Sequence, residues 1–351
     1  MFLDANGAIT HVARRDFVSL LRPGDLVIAN DAATLPASLQ GIHAATGEPI
    51  EVRLAGRRSL DVDDVARFKA IVFGAGDFRT RTEDRPPSPR LARGDWLTFG
   101  KLTAIVDRIL GNPRFISLRF NGSPDEIWRG LAKYGRPVQY AYMREPLELW
   151  DVWTPIAGPP VAFEPPSAGF VLDWRSLAAL RSAGVGFATI THAAGISSTG
   201  DAALDKLLPF DEAYRISESA AAAIREARAT GGRIIAIGTT VVRALEHAAS
   251  RDGRVHAGDG VATQRLDAAS ELRVVDAILS GTHEPGSSHY ELLGAFADEP
   301  SLRRADKELE ERGYLTHEFG DSVLIEKNRG QSRISRQAEK SGLSPVSAII
   351  P

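Results

Sequence analysis

The spacing of apolar positions changes character twice along the chain. "FLD" and "ITHV" read as two short strands around Asn6-Gly7, a dipeptide that accepts the positive φ angles of a tight turn. "RPGDLVIAND" follows as a turn feeding a short buried strand that ends in Asn30 and Asp31. From about Ile42 to Tyr142 the texture becomes strand-like runs, "IEVRLAG", "FKAIVFG", "WLTFGKLTAIVDRIL" and "RFISLRF", separated by turn residues. That pattern predicts a small β-rich insertion of barrel type.

"GPPVAFEPPSAGF" then imposes an extended backbone and marks the return to the main domain. Beyond it the period switches to alternating helix and strand. "DWRSLAALRSAG" is an amphipathic helix with a glycine stop, "VGFATITH" a buried strand ending at His192, and "SESAAAAIREARATGG" a helix preceded by Ser217. "RIIAIGTTVVRALEHAA" is a strand, a Gly-Thr-Thr turn and a helix from Val241. "ELRVVDAILSGTHEPGSSHYELLGAFA" is mixed, with a polar loop in its middle, and "GYLTHEFGDSVLIE" is the last regular element. The expected architecture is α/β in the mixed α+β sense. A discontinuous core of residues 1–41 and 143–326 carries the inserted barrel, 42–142, and ends in a basic, disordered tail, 327–351.

Composition narrows the chemistry. With 351 residues, 43% hydrophobic and 25% charged, the chain has an ordinary globular balance and can bury a substantial core. It has no cysteine, which excludes disulfides, thiolate nucleophiles and iron-sulfur ligation. No metal site is expected. No apolar stretch approaches the ~20 residues of a membrane span, and the first residues do not read as a signal peptide, so a cytoplasmic monomer is the expectation. The net charge of −3 does not advertise a nucleic-acid binder, and a polyanionic partner needs a local patch. Two stretches offer one: the loop holding Arg79, Arg81, Arg85, Arg90 and Arg93, and the tail with Lys327, Arg329, Arg333, Arg336 and Lys340. A solvated loop and an expendable tail are the plain alternatives.

Four short segments carry candidate chemistry, and each has a structural alternative. The Gly238-Thr239-Thr240 turn places free backbone N–H groups at a strand's carboxyl end, where an anion is favoured. It lacks GxGxxG and GxxxxGK[ST], and its threonines could simply cap the helix. "ATITHAAGISSTGD" delivers His192 into a loop of small residues, as an acid-base group or a buried structural histidine. "SGTHEPGSSHYELL" crowds His283, Glu284, Ser287, Ser288 and His289 around Pro285-Gly286. "THEFGDSVLIE" sets Glu318 and Asp321 around an aromatic-glycine turn.

Taken in order, these segments resemble the S-adenosylmethionine:tRNA ribosyltransferase-isomerases of queuosine biosynthesis, from Phe2 to about Ile325. "GGRIIAIGTTVVRALEHAA" is similar to the family's most specific signature, with Gly238, Thr239, Thr240, Arg243, Leu245 and Glu246 in place. "LRPGDLVIANDAATLPASL" resembles its Asn-Asp strand exit, "EPPSAGF" its Pro-Thr-Ala-Gly turn, and "THAAG" its strand-end histidine loop. "RVVDAILSGTHEPGSS" and "YLTHEFGDSVLI" resemble its last two motifs. The resemblance implies an α/β core with an inserted barrel. It also implies transfer and isomerisation of the ribosyl part of S-adenosylmethionine onto 7-aminomethyl-7-deazaguanine in tRNA, with loss of adenine and methionine. S-adenosylmethionine is then a substrate, and no prosthetic group is needed. Residues implied as catalytic are His192, His283, Glu212 and Asp321; those implied in substrate binding are Asn30, Asp31, Ser167, Gly169, Gly195, Tyr214, Gly238, Thr239, Thr240, Arg243 and Ser287.

The sequence departs from the family pattern at several polar positions. Ala32-Ala33 replace Thr-Arg, Ser38 replaces an arginine, Val171 a histidine, and Gly281-Thr282 replace Asn-Phe. "LLPFDEAY" keeps only Glu212 and Tyr214 of a His-Met-His-Ser-Glu run. The chain also starts at the family's first hairpin, without the segment that precedes it. At the level of sequence two other readings stay open: a diverged paralogue that binds S-adenosylmethionine or a related nucleoside and modifies a non-tRNA acceptor, and a non-catalytic binding protein.

Overall fold

The computed structural model describes residues 1–143, 145–316 and 319–328. Glu318 and nearly all of the tail lie outside the described residues. The chain opens with the hairpin β1 (Phe2–Leu3) and β2 (Ile9–Thr10), then β3 (Leu26–Asn30) and the short β4 (Ala33–Thr34). β5 (Ser38–His43), β6 (Pro49–Gly56), β7 (Arg67–Phe73), β8 (Trp96–Phe99), β9 (Leu102–Ile109) and β10 (Phe115–Phe120) follow, with α1 (Pro124–Tyr134) and β11 (Gly135–Arg136). The remainder runs α2 (Leu149–Val152), β12 (Pro160–Ala162), α3 (Trp174–Ser182), β13 (Gly186–His192), α4 (Ala202–Asp205), β14 (Glu212–Ile216) and α5 (Glu218–Ala229). It continues through β15 (Ile234–Ile237), α6 (Thr239–Ala248), β16 (Gly258–Ala262), β17 (Ala277–Gly281), α7 (Ser288–Leu293), α8 (Glu299–Glu311) and β18 (Ser322–Glu326).

The insertion is a closed antiparallel barrel. Its strands run β5-β6-β7-β10-β9-β8 and close back onto β5. Closure follows from alternation: Val52, Leu54, Phe68, Ala70, Leu97, Phe99, Ala104, Val106, Leu118 and Phe120 fill the interior, and no long strand edge is left unpaired. α1 packs Ile127 and Leu131 onto this core. Its start is fixed by a Ser123/Glu126 capping box, a signal that the strand-like texture of the region masks. β11 adds to β5, so the barrel's sheet spans Ser38 to Arg136.

The core is a nine-stranded mixed sheet, β16-β14-β13-β3-β15-β17-β18-β1-β2. Its four central strands, β13, β3, β15 and β17, are parallel. Such strands are buried on both faces, which is why Leu26–Asn30 and Ile234–Ile237 read as continuous apolar runs. α5, α6 and α8 cover one face, and α3 with Phe17 and Leu172 the other. β13 differs from expectation: β14 pairs only with its last residues, Thr191 and His192, so Gly186 and Phe187 at its start are exposed.

The "GGR" of the signature belongs to the amino-terminal edge of this sheet. A Cβ on Gly232 would sit 1.9 Å from the Gly24 carbonyl oxygen, so only glycine permits the approach. Arg233 then pairs with Asp25 at the foot of β3 and with Glu326 at the end of β18. At the other end of α6, the buried Glu246 accepts N–H groups of Arg273, Val274 and Val275 at 2.7, 3.0 and 2.9 Å, fixing the approach to β17. The proline-rich passage is extended only through β12; Ser167–Val171 is a 3₁₀ turn.

Candidate active site

The four parallel strands end level with one another. Asn30 pairs with Ile190, and Ile237 lies between Ala29 and Leu279. In open α/β sheets this carboxyl edge is where ligands bind. A cleft of about 640 Å³ opens there, within the range that holds a nucleoside-sized molecule. Its far wall comes from the barrel's long loop, at Arg81–Glu83, and from Tyr140–Tyr142.

The Gly-Thr-Thr turn lies at the bottom. Helix α6 begins at Thr239, two residues earlier than expected, because Gly238 at φ 94° serves as its cap. Neither threonine takes the capping position, so the capping alternative falls. Thr240 Oγ1 instead lies 3.5 Å from the Asn30 amide. The first N–H groups of a helix have no acceptor within it, and Gly238, Thr239 and Thr240 all line the cleft. The backbone therefore supplies an uncommitted positive pole on the cleft floor.

Glu212 and Arg243 form the second part of the floor. Glu212 Oε1 accepts the Gly195 N–H at 2.5 Å, and Oε2 pairs with Arg243. The guanidinium also donates to the carbonyls of Phe210, Ala262 and Gln264 at 3.3, 3.1 and 3.1 Å. Burial lowers the Arg243 pKa to about 10, still charged at neutrality. Beneath this pair lies His192, fully buried and outside the cleft lining. Its Nε2 is 3.4 Å from Glu212, yet neither ring nitrogen makes a hydrogen bond. Burial, reinforced by Arg243, holds this imidazole well below its usual range and hence neutral.

The histidines that reach the cleft are His283 and His289. Their rings stack with centroids 4.7 Å apart and planes 19° from parallel, and His283 Nε2 meets the Ser280 hydroxyl at 3.1 Å. β17 delivers Ser280, and α7, capped by Ser287, delivers His289. Burial pushes His283 down to about 3, helped by His289, and His289 down to about 4, helped by Arg243. Both are neutral in the physiological range, so each can accept one hydrogen bond and donate another without adding charge.

Ser167, Gly195, Glu284, Ser287 and Ser288 also line the cleft, whereas Asn30, Asp31, Gly169, Tyr214 and Asp321 do not. Asn30 clamps the His192 backbone, accepting its N–H and donating to its carbonyl, both at 2.9 Å. Asp31 takes the hydroxyls of Thr189 and Thr191 at 2.8 and 2.6 Å, pinning β13. Gly169 is buried in the 3₁₀ turn, and the Tyr214 phenol meets His247 Nδ1 at 2.9 Å within the helical layer. Asp321 lines a separate hollow with Arg14, Met1 and Tyr314, and accepts the Leu315 N–H at 2.9 Å. Several lining residues were not singled out from sequence: Tyr140, Glu164, Arg265 and Ser280. Glu164 and Ser280 stood at the first position of the quoted "EPPSAGF" and "SGTHEPGSSHYELL", whereas Tyr140 and Arg265 lay outside any candidate motif.

The arginine loop divides. Arg85 is buried against Glu51 and the carbonyls of Gly74 and Gly76, which corrects its reading as an exposed basic residue. Arg79 pairs with Asp77, and Arg81 with Glu83 at the cleft edge. Arg90 and Arg93 are exposed and in no ion pair among the described residues. Among the described residues, no group of His, Asp and Glu could hold a metal ion, and no helix is long and apolar enough to cross a membrane.

An α/β sheet with a helix amino terminus, neutral imidazoles and a buried ion pair around one cleft at its carboxyl edge defines an enzyme site for a small polar substrate. The chain belongs to the queuosine biosynthesis protein family, whose family model matches residues 1–325. It is 30% identical over 334 residues to the S-adenosylmethionine:tRNA ribosyltransferase-isomerase of Moorella thermoacetica, covering 91% of this chain and 90% of that one. It is 32% identical over 333 residues to the protein of that name from Trichlorobacter lovleyi, covering 93% and 92%. A solved structure of S-adenosylmethionine tRNA ribosyltransferase from Thermotoga maritima aligns at a TM-score of 0.47 and 23% identity, covering 92% of this chain and 90% of that one.

Proposed function

We propose that this protein is an S-adenosylmethionine-dependent tRNA ribosyltransferase-isomerase, moving the ribosyl unit of S-adenosylmethionine onto 7-aminomethyl-7-deazaguanine in tRNA. The observation that carries the reading is that separate family motifs, far apart in sequence, send residues to one cleft: Ser167 and Ala168, Ala194 and Gly195, Gly238 with Thr239 and Thr240, and Ser280, His283 and Ser287. Full-length relatives bearing this activity's name support it. In this reading the core is residues 1–37 and 143–326, the barrel insertion is 38–142, starting four residues earlier than expected because β5 begins at Ser38, and the protein works in the cytoplasm.

The chemistry asks for three things. A sulfonium acidifies the neighbouring C5′ protons, so a positioned neutral base can start the rearrangement. His283 is assigned that role in preference to His192, because it opens to the cleft. An imidazole held so far below neutrality is unprotonated but a weak base, and it gains basicity when an anion enters beside it. The methionine carboxylate is assigned to the N–H groups at Thr239 and Thr240, and Arg243 with Glu212 holds the Gly195 loop against the ligand. tRNA is expected to be gripped through the exposed Arg90 and Arg93 of the arginine loop.

Adenine release is the test. Purified protein, S-adenosylmethionine and tRNA bearing the deazaguanine base should liberate adenine in step with tRNA modification. No adenine above background, with a family enzyme active alongside, refutes the assignment.

A further inference from the structure

The barrel side of the cleft holds a carboxylate that the roles above leave unused. Glu164 lines the cleft, and its two recorded hydrogen bonds both fall on Oε1, one from the Tyr140 phenol and one from the Ser197 N–H at 3.0 Å. Tyr140 is itself tied to the Ser197–Ser198 loop: its oxygen lies 3.2 Å from the Ser198 N–H and 3.3 Å from the Ser197 hydroxyl. The carboxylate is thus fixed in direction by a ring and a loop from opposite sides of the junction.

No ion pair closes on it. Arg53, whose field reaches it, is committed to Glu51 at 2.7 Å and lies over the Phe73 and Tyr140 rings at 4.7 and 5.4 Å. Arg85 also pairs with Glu51. Arg81, which also lines the cleft, pairs with Glu83. Among the described residues Glu164 forms no ion pair; burial raises its pKa, and the hydrogen bonds from Tyr140 and Ser197 and the field of Arg53 offset that only in part. A fixed, desolvated carboxylate beside a ligand cleft favours a cation with N–H donors, because each charge-assisted bond there is short and strong.

We propose that Glu164, oriented by Tyr140, is the cleft's recognition site for a primary ammonium group of a substrate. This rests on the function proposed above, under which two such groups enter: the α-ammonium of S-adenosylmethionine and the aminomethyl ammonium of the acceptor base. Tyr140 is a positioning residue, because it acts through Glu164.

Equilibrium binding to the wild type, Glu164→Gln and Tyr140→Phe tests the site without requiring turnover. Four probes are used: S-adenosylmethionine, its analogue lacking the α-amino group, and tRNA carrying either the aminomethyl or the uncharged cyano form of the base. The glutamine keeps a carbonyl oxygen for Tyr140 and Ser197, so its melting temperature should match the wild type. One amine-bearing probe should lose about tenfold in affinity with Glu164→Gln, while its amine-free counterpart loses nothing; which probe responds identifies the source. Tyr140→Phe should weaken the same probe by a smaller factor and leave the other unchanged. Equal affinity of wild type and Glu164→Gln for both amine-bearing probes overturns the proposal, as does an equal loss with and without the amine. Failure to release adenine in the separate turnover assay, with this coupling intact, refutes the assigned reaction and leaves the ammonium site standing.

Discussion

Removing the Glu212 side chain should destabilise the fold around the cleft floor. Glu212→Ala takes away the partner of a guanidinium that is only 4% exposed and removes the acceptor for the Gly195 N–H. Breaking a buried pair from one side costs about 3–5 kcal/mol, because the remaining charge stays desolvated. Here three carbonyls still solvate Arg243, from Phe210, Ala262 and Gln264, which places the expected loss near the lower end, about 3 kcal/mol. Glu212→Gln keeps an acceptor for one donor and should cost about half as much. Glu212→Leu combined with Arg243→Met should recover part of the single-mutant loss, though not all, since those carbonyls then lack a donor. Urea unfolding followed by near-ultraviolet circular dichroism measures each variant. A Glu212→Ala midpoint that matches the wild type would show that the pair carries no net weight, and the structural account of the cleft floor would fall with it.

Three further outcomes follow from the same geometry. His283 and His289 have folded pKa values of about 3 and about 4, below the unfolded ~6.5, so the unfolded chain binds more protons; stability should be flat above pH 7 and decline as pH falls through 6.5 toward 4. His283→Gln with His289→Gln should flatten that decline, and an unchanged slope would count against it; His283→Gln should also abolish adenine release, whereas His192→Gln should act chiefly on stability. Gly238→Ala forces a Cβ into φ 94° at 3.4 Å from the Ala168 Cβ; a cost of about 1–2 kcal/mol and weaker S-adenosylmethionine binding by calorimetry are expected, and unaltered binding would refute the role of the turn. Arg90→Glu with Arg93→Glu should weaken tRNA binding and reduce its salt dependence, with S-adenosylmethionine affinity unchanged; an unaltered salt slope places the RNA elsewhere.

The elements most legible in the sequence are those whose environment is uniform. β3 and β15 read correctly because strands buried on both faces must be apolar throughout, and the barrel strands because each alternates between an interior and an exterior. The helices α1 and α8 were less visible. α1 lies inside strand-like texture, and the helical pattern of α8 is carried by few apolar positions, Leu302 and Ala305 among them. Of the site, the Gly-Thr-Thr turn and the His283 loop were evident, because glycine and small polar residues at a strand exit have few other uses. His192 was misleading for the same reason: strand-end position tells that a side chain lies at the sheet's edge, not whether it faces the cleft or the layer beneath.

By itself the sequence determined the period of most elements, the absence of thiol chemistry, and the ordered motifs that place the chain in its family. Those properties are local, set by propensity, alternation and turn chemistry within a few residues. Which polar groups face the ligand was decided only by tertiary structure. Asn30, Asp31 and Tyr214 are spent on holding strands and helices in register, while Glu164, Tyr140 and Ser280 meet the cleft from segments with no shared motif. A side chain's role there depends on what desolvates it and what pairs with it. Those neighbours come from residues tens to hundreds of positions away, as Glu212 and Arg243 do around His192.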